Sequence, residues 1–546
     1  MNAKELYGQG EELFSKRTSL MLFLQEVAEH FYPERADFTY QRSLGTDFAG
    51  NMMSSYPMMC RRDLGEQIGQ MLRPSDKEYA NIVPVDLRRQ DNEAQRWLEW
   101  AAKTQRRAMY DRRAQFNDSQ KMADNDYSAF GMCCTQVRMA STMDRLLYMD
   151  WHLRDVAWLH DVNREICGVW RRAKITARDL VATFKGKVHE DIRKCLEGSN
   201  PKPFEEFECY HIEVKADMYD MNAGHMEWWS IWYDCKHNLV LEEIAIPEST
   251  YVIGRWLKPG SSQYAFSPAV TVALPEGRLL QAITYTLVEA GEKIVNPPLI
   301  ATSQAVRSDI NVFAGGITWA DRDYDEKTGE VLRPMNIDSK GMPLGMDMLR
   351  DSRMMINQAF YLNKLSLPQR GGAEMTAYEV GQRVQEYIRN ALPLFEPMED
   401  ERNGQIFEKT FNLMRRHGAF GSDMDMPKSL QGAELQFIFE SPLHDAIDAV
   451  KGHKFLEAQQ YLAAAAQLDP TAGAMIDVKE TLRDVLMGVK VPAKWVRSEV
   501  TVQQIEDQHA AAQQAQAQLA AMQQGSEVVG NLAAASKDNA AAAIPA

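Results

Sequence analysis

Apolar residues return at helical intervals along the first thirty positions: Leu6, Leu13, Leu20, Leu24 and Val27 fall near one face. The pattern predicts an amphipathic helix over residues 4–30, ended by Pro33. Residues 58–72 and 91–116 predict two more helices, the second strongly cationic outside a stripe that includes Trp97 and Trp100. The helical pattern continues over 117–130, and FGMCCTQVRM then turns to strand. From about 132 to 260 the composition is β: CYHIEVKA, MEWWSIWYD, LVLEEIAI and YVIGRWL are short strands divided by Gly, Asn, Asp and Pro. Inside this stretch TARDLVATFKG predicts one small helix with Thr176 as its N-cap.

After Pro275 the period lengthens again. Leu280, Ile283, Leu287, Ala290 and Ile294 step by three and four, a heptad-like stripe that Pro275 opens and Asn296-Pro297-Pro298 closes. Residues 297–345 form a Pro- and Gly-marked module in which GGITWADRDYDEKTGEVLRPMNI reads as a hairpin turning at Asp325 to Gly329. A second heptad-like stripe, Met348, Met355, Ala359 and Leu362, runs to about Leu365. Two helices of similar length thus bracket a small β-containing tip. The segment 364–380, KLSLPQRGGAEMTAYEV, joins the second of them to a longer pattern over 376–417, where Pro393 and Pro397 predict a kink or break. Gln369, Arg370, Gly371 and Gly372 lie in that joint: the glycine pair frees the backbone and Arg370 sets a positive charge there. ELQFIFE at 434–440 predicts a strand, with helices after it to about Met487. The Ala/Gln-rich tail favours helix to about Gln524 and disorder beyond Gly525.

The chain has 546 residues, and its length predicts two to four domains. No apolar run near the start approaches a membrane span. Glu5, Glu11 and Glu12 stand where a secretory leader would need a cationic region and an apolar core, so a cytosolic product is expected. Seven cysteines without any C-x-x-C favour reduced, buried thiols over a disulfide framework or a zinc site. The net charge of −15 runs against tight wrapping of nucleic acid, which favours basic proteins. Contact with DNA is expected to be loose or confined to small patches.

Catalytic signatures fail one by one. The sequence has no P-loop, G-x-S-x-G or H-E-x-x-H motif; His189-Glu190 begins like the last, but Arg193 stands where its second histidine belongs. Asp321, Asp323 and Asp325 begin like a calcium loop, yet Glu326 replaces the glycine and Leu332 the bidentate glutamate, so a solvated hairpin tip is the better reading. Trp228, Trp229 and Trp232 suit sheet core or a subunit interface better than a base-stacking platform. Arg106, Arg107, Arg112 and Arg113 suit a solvated helix face paired with acids. No catalytic residue, cofactor or metal site is assigned, and the chain is not expected to be an enzyme.

Several segments together resemble one family, the portal proteins or head-to-tail connectors of short-tailed bacteriophages. Three carry most of it: YVIGRWLKPGSSQYAFSPAVTVALPEGRLLQ (251–281), EAGEKIVNPPLI (289–300) and MTAYEVGQRVQEYIRNALPLFEPMEDERNGQIFEKTFNLMRRHGAF (375–420). DYSAFGMCCTQV (126–137) and MLRPSDKEY (71–79) are weaker echoes. The chain departs from the family at Ala265-Phe266, Arg73-Pro74 and Glu78-Tyr79, which touches local loops only.

The resemblance implies an α+β portal fold in a ring-shaped oligomer, usually of twelve copies, at one capsid vertex. Its expected parts are a wing over 1–274, stem helices at 275–296 and 346–366, and a clip over 297–345. A tunnel loop, long kinked wing helix and wing strand would fill 367–440, a crown 441–499, and a barrel helix with its tail 500–546. It places Gln369–Gly372 in the tunnel loop facing double-stranded DNA. It implies as partners the terminase large subunit, major capsid and scaffolding proteins and tail adaptors, with no membrane, in a virion assembled in the host cytoplasm. Two alternatives stay open at this level: a DNA-packaging enzyme (nuclease or ATPase) and a capsid scaffold that binds only proteins.

Overall fold

A computed structural model describes residues 2–43, 45–50, 52–74, 78–86, 91–197, 201–221, 224–260, 262–301, 332–334, 340–365, 396–421, 426–439, 495, 501–505 and 507–516. The helices are α1 (Ala3–Lys16), α2 (Thr18–Phe31), α3 (Tyr56–Leu72), α4 (Asn92–Met109), α5 (Phe116–Phe130), α6 (Ala177–Phe184) and α7 (Glu190–Glu197). They continue with α8 (Pro268–Val295), α9 (Gly341–Ala359), α10 (Leu362–Leu365) and α11 (Gln405–Arg416). The strands are β1 (Ala80–Pro84), β2 (Met132–Met139), β3 (Leu146–Asp150), β4 (Val156–His160), β5 (Ile166–Thr176) and β6 (Glu206–Lys215). After them come β7 (Trp228–Asp234), β8 (Leu239–Ile246), β9 (Tyr251–Arg255), β10 (Leu299–Ala301), β11 (Leu332–Pro334) and β12 (Leu435–Phe439).

The chain divides into two units. The larger comprises 1–80, 105–419 and 439–446, and the smaller 81–104, 420–438 and 447–546. In the smaller unit β1 pairs with β12, and Trp97 and Trp100 of α4 meet the Phe420 ring edge-on at 6.2 Å.

The larger unit holds an antiparallel meander, β4-β5-β6-β7-β8, and a three-stranded antiparallel sheet, β3-β2-β9. Trp228, Trp229 and Trp232 lie on β7, an inner strand of the meander. Trp228 is buried, Trp232 stacks on His211 at 4.4 Å, and the Trp229 indole donates to the Asp220 carbonyl. This is the sheet-core arrangement that the period-two pattern favours. One large core joins α2, α3, α5, the three-stranded sheet and the ends of α8 and α9. All seven cysteines are free thiols; burial pushes Cys133 up to about 12.

The sequence places one helix over 4–30, whereas the structure breaks it at Arg17. That guanidinium is buried and donates to the carbonyls of Leu153 at 2.8 Å and Val156 at 2.6 Å, and also to that of Arg154. Three carbonyls more than 130 residues away outweigh the helical propensity of one residue. The 91–130 pattern also breaks, at Asp111–Gln115, where Asp111 accepts from the Arg113 amide and Gln115 takes a φ of 59°. Thr176 caps α6 as expected, its hydroxyl accepting from the Asp179 amide.

Of the cationic residues on this stretch, Arg113 pairs with Asp111 and Asp144, and Arg106 lies over the Tyr79 and Tyr110 rings. The acid-paired reading therefore holds for Arg113.

Helix α8 starts at Pro268, about two turns before the predicted Pro275. Pro275 sits inside the helix and removes one backbone hydrogen bond. Val270, Ala273 and Leu274 bury in the core on its N-terminal side, and their packing keeps the helix running through it. The second predicted strut also shifts: α9 begins at Gly341, and the chain breaks at Phe360 and Tyr361, the latter with a φ of 57°.

Candidate functional site

The predicted DNA-facing residues Gln369, Arg370, Gly371 and Gly372 lie outside the described residues, as does the acidic run 321–325. The chain is described up to Leu365 before that loop and again from residue 396, and these parts, with α8, hold the features that follow.

Helices α8 and α9 pack against each other and run antiparallel. Leu287, late in α8, lies beside Gly345, early in α9; a Cβ at Gly345 would stand 2.7 Å from the Leu287 Cδ2. At the other end, the Phe31 ring touches Gly277 of α8 and meets Phe360 after α9 at 5.4 Å. Strands β10 and β11 extend the pair, with Leu299 opposite Pro334 and Ala301 opposite Leu332. Only one end of this pair is buried in the core. Beyond it, Tyr285, Val288 and Val295 on α8 and Leu344, Met346 and Met354 on α9 are half or more exposed. Both helices of the pair therefore present apolar side chains to water along this part.

The same unit holds a junction of buried charges. A stretch of π-helix, Glu399–Gly404, precedes α11, and its wider turn directs Glu401, Arg402 and Asn403 all toward protein partners. Glu401 accepts from the Arg255 amide at 3.1 Å and guanidinium at 2.7 Å, and pairs with Lys258. Arg402 is fully buried and donates to Asp124 at 2.6 Å and to the Gln120 side chain at 2.8 Å. The other Asp124 oxygen pairs with Arg73, which also donates to Asn403 at 3.0 Å. Burial disfavours the Arg402 charge, but the negative groups around it, Asp124 in direct contact, outweigh that and raise its pKa. Close by, Arg35 bridges Asp126 at 2.6 Å and Asp150 at 2.9 Å. Asp150 is fully buried, and burial together with Asp126 pushes its carboxyl well above the usual range against the pull of Arg35.

A second contact locks the same region. Gly131 ends α5 with a φ of 74°, and a Cβ there would stand 2.1 Å from the Phe266 carbonyl carbon and the Ser267 nitrogen. The Gly131 carbonyl accepts from the Trp256 amide at 2.9 Å, and the Trp256 indole stacks on Tyr127 at 5.0 Å. Ser267 is the residue from which α8 departs.

Four of the stretches that carry the family resemblance therefore meet here. Arg73 comes from 71–79, Tyr127 and Gly131 from 126–137, Arg255, Trp256 and Ser267 from 251–281, and Glu401–Asn403 from 375–420. Sequence reading missed Gln120, Asp124 and the 401–403 triplet. Its one signal was the charged run EDER inside an apolar helical pattern, which periodicity alone reads as solvated.

Buried ion pairs thus hold α5, β9 and the π-helical stretch together, and the α8/α9 pair extends from the same unit with apolar side chains exposed. The profile of the family described as "Bacteriophage head to tail connecting protein" matches residues 3–496, so the chain belongs to that family. It is 21% identical over 320 residues to the portal protein of Salmonella phage epsilon15, covering 57% of this chain and 56% of that protein. It is 26% identical over 339 residues to the probable portal protein of Bordetella phage BPP-1, covering 60% and 59% respectively. The matched stretches thus span less than two thirds of either relative. A solved chain from the virion of a native gene transfer agent particle aligns over 81% of this chain and 95% of that one, with 11% identity. Its TM-score of 0.33 is too low to carry a structural argument. No helix among the described residues is long and apolar enough to cross a membrane.

Proposed function

We propose that the chain is the portal subunit of its phage: a ring, of twelve copies in the family's usual form, at one capsid vertex, through which double-stranded DNA is packaged and ejected. The observation that carries this reading is the antiparallel α8/α9 pair with apolar side chains outward on both helices. A lone protomer leaves that surface in water, and a second copy of the same pair covers it. In this reading 275–296 and 346–366 are the stem, 297–345 the clip, 441–499 the crown and 500–546 a barrel helix with its tail. The wing comprises 1–274 and the strand and long helix within 367–440. Terminase docks at the ring for packaging, and tail adaptors replace it afterwards.

Gln369–Gly372 form the tunnel loop. One Arg370 per subunit makes a ring of positive charge around the duplex, each contact worth about 0–1 kcal/mol. Weak contacts suit DNA that must slide both ways, and the acidic remainder of the chain (net charge −15) keeps the duplex centred. End-on electron micrographs of the purified chain are the test. Rings with a hole wide enough for a DNA duplex are expected; monomers, or discs with no hole, overturn the reading.

A further inference from the structure

Beside the five-stranded sheet, the loop before α7 comes up against the β7–β8 turn. His189 and His237 stack there with ring centroids 4.1 Å apart and planes 13° from parallel. Asp191, in the first turn of α7, completes a group whose ligand atoms all lie within 4.8 Å of one another. We propose that His189, Asp191 and His237 bind a divalent transition-metal ion of the zinc type, which staples the α6–α7 lobe to the β7–β8 turn.

His237 is the anchored ligand. Its Nδ1 lies 2.7 Å from the Oδ2 of Asp234, a fully buried carboxylate whose Oδ1 accepts from the amides of Lys236 and His237 itself. A carboxylate on Nδ1 fixes the proton there and leaves the Nε2 lone pair for a metal, the usual carboxylate–histidine–metal arrangement. That Nε2 is buried, on a side chain only 10% exposed, and has no hydrogen-bond partner. A buried acceptor without a partner is destabilising, and a bound cation would satisfy it.

The distances are close to those of a coordination shell. Ligand atoms about 2.1 Å from a tetrahedral ion stand roughly 3.4 Å from each other. Nδ1 of His189 is 3.5 Å from Oδ2 of Asp191, and Nε2 of His237 is 3.8 Å from the same oxygen. Closure needs the His189 ring to tilt out of its stack and give up a 3.3 Å contact from the Asp191 amide. It can do so, because His189 and Asp191 are well exposed while His237 stays fixed. Lys194 holds the other Asp191 oxygen at 3.2 Å and does not compete for Oδ2. Two imidazoles and a carboxylate suit zinc, cobalt or nickel far better than magnesium or calcium, and water fills the fourth position. The sequence shows only His189-Glu190, half of a helical metal motif. The second histidine comes from a turn 48 residues on.

The test uses the untagged full-length chain, stripped with chelator and titrated with Co2+ by visible absorption, then with Zn2+ in competition. One Co2+ per chain with a nitrogen/oxygen spectrum is expected, together with a rise in unfolding temperature in Zn2+. His189→Ala and His237→Ala should each weaken binding at least tenfold. Asp234→Asn, which keeps all three ligands, should weaken it about 10–100-fold. His189→Ala alters a surface residue and keeps the test valid if His237→Ala misfolds. Absence of Co2+ uptake, or affinity unchanged in His189→Ala, would overturn the proposal. A thiolate charge-transfer band, placing the ion on cysteine, would do the same.

Discussion

Gly131→Ala probes the junction most directly. At this position φ is +74°, and a left-handed conformation costs an L-residue about 1–2 kcal/mol. The added Cβ also meets backbone, not a movable side-chain tip: the Phe266 carbonyl carbon and the Ser267 nitrogen at 2.1 Å, against an ordinary contact of 3.4–4 Å. The start of α8 must therefore move by more than an ångström, and overpacking of this kind costs a further 1–3 kcal/mol or so. About 2–5 kcal/mol is expected in total, a fall of roughly 2–6 °C in the unfolding temperature of a unit this large. Gly418→Ala is the matched control, since Gly418 has a φ of +72° with open space around its Cβ position, so it bears the conformational cost alone. Differential scanning calorimetry of both variants separates the two costs, and electron microscopy scores ring yield. Equal, small shifts in both variants would show that the 131–267 approach does not hold the base of α8.

Other outcomes follow from the same geometry. Arg402→Met leaves Asp124 with one of its two arginines and strands Gln120, so a loss of about 3–5 kcal/mol in urea denaturation is expected. Asp150 has a raised carboxyl pKa, so the folded state holds a proton that the unfolded chain releases above pH 3.8; stability contributed here falls as pH climbs from that value, and Asp150→Asn should flatten the slope. Asp37 behaves oppositely: burial would raise it, but the His152 hydrogen bond and the Arg154 charge lower it to about 2, so its contribution is present above pH 3.8 and is lost as pH falls toward 2. With a quarter of that side chain in water the contribution is about 1 kcal/mol, read as the change in acid unfolding on Asp37→Asn. Arg370→Glu and Gly371-Gly372→Ala-Ala should leave rings intact while packaged DNA length or retention changes; unaltered packaging, retention and ejection in both would remove the tunnel loop from DNA handling.

Much of the secondary structure was legible without coordinates, because local periodicity reports which face of a segment is apolar. The strands of 132–260, the Thr176 cap, the two helices on either side of 297–340 and the strand near 434–440 all follow from it. So does the family, since ordered stretches such as 251–281 and 375–420 are specific as strings. Periodicity cannot say which charged side chain finds which partner across the fold. Arg17 breaks a helix because three carbonyls from 153–156 converge on it. Pro275 fails to start one because buried residues before it hold the turn. Arg402 and Asp124 lie 278 residues apart and meet only when α5 and the π-stretch pack together. His237 reaches His189 through a sheet turn that no short motif encodes. The sequence determined local conformation and ancestry, whereas the junction and the histidine pair were decided by tertiary packing, because a buried charge or imidazole is defined by neighbours distant along the chain.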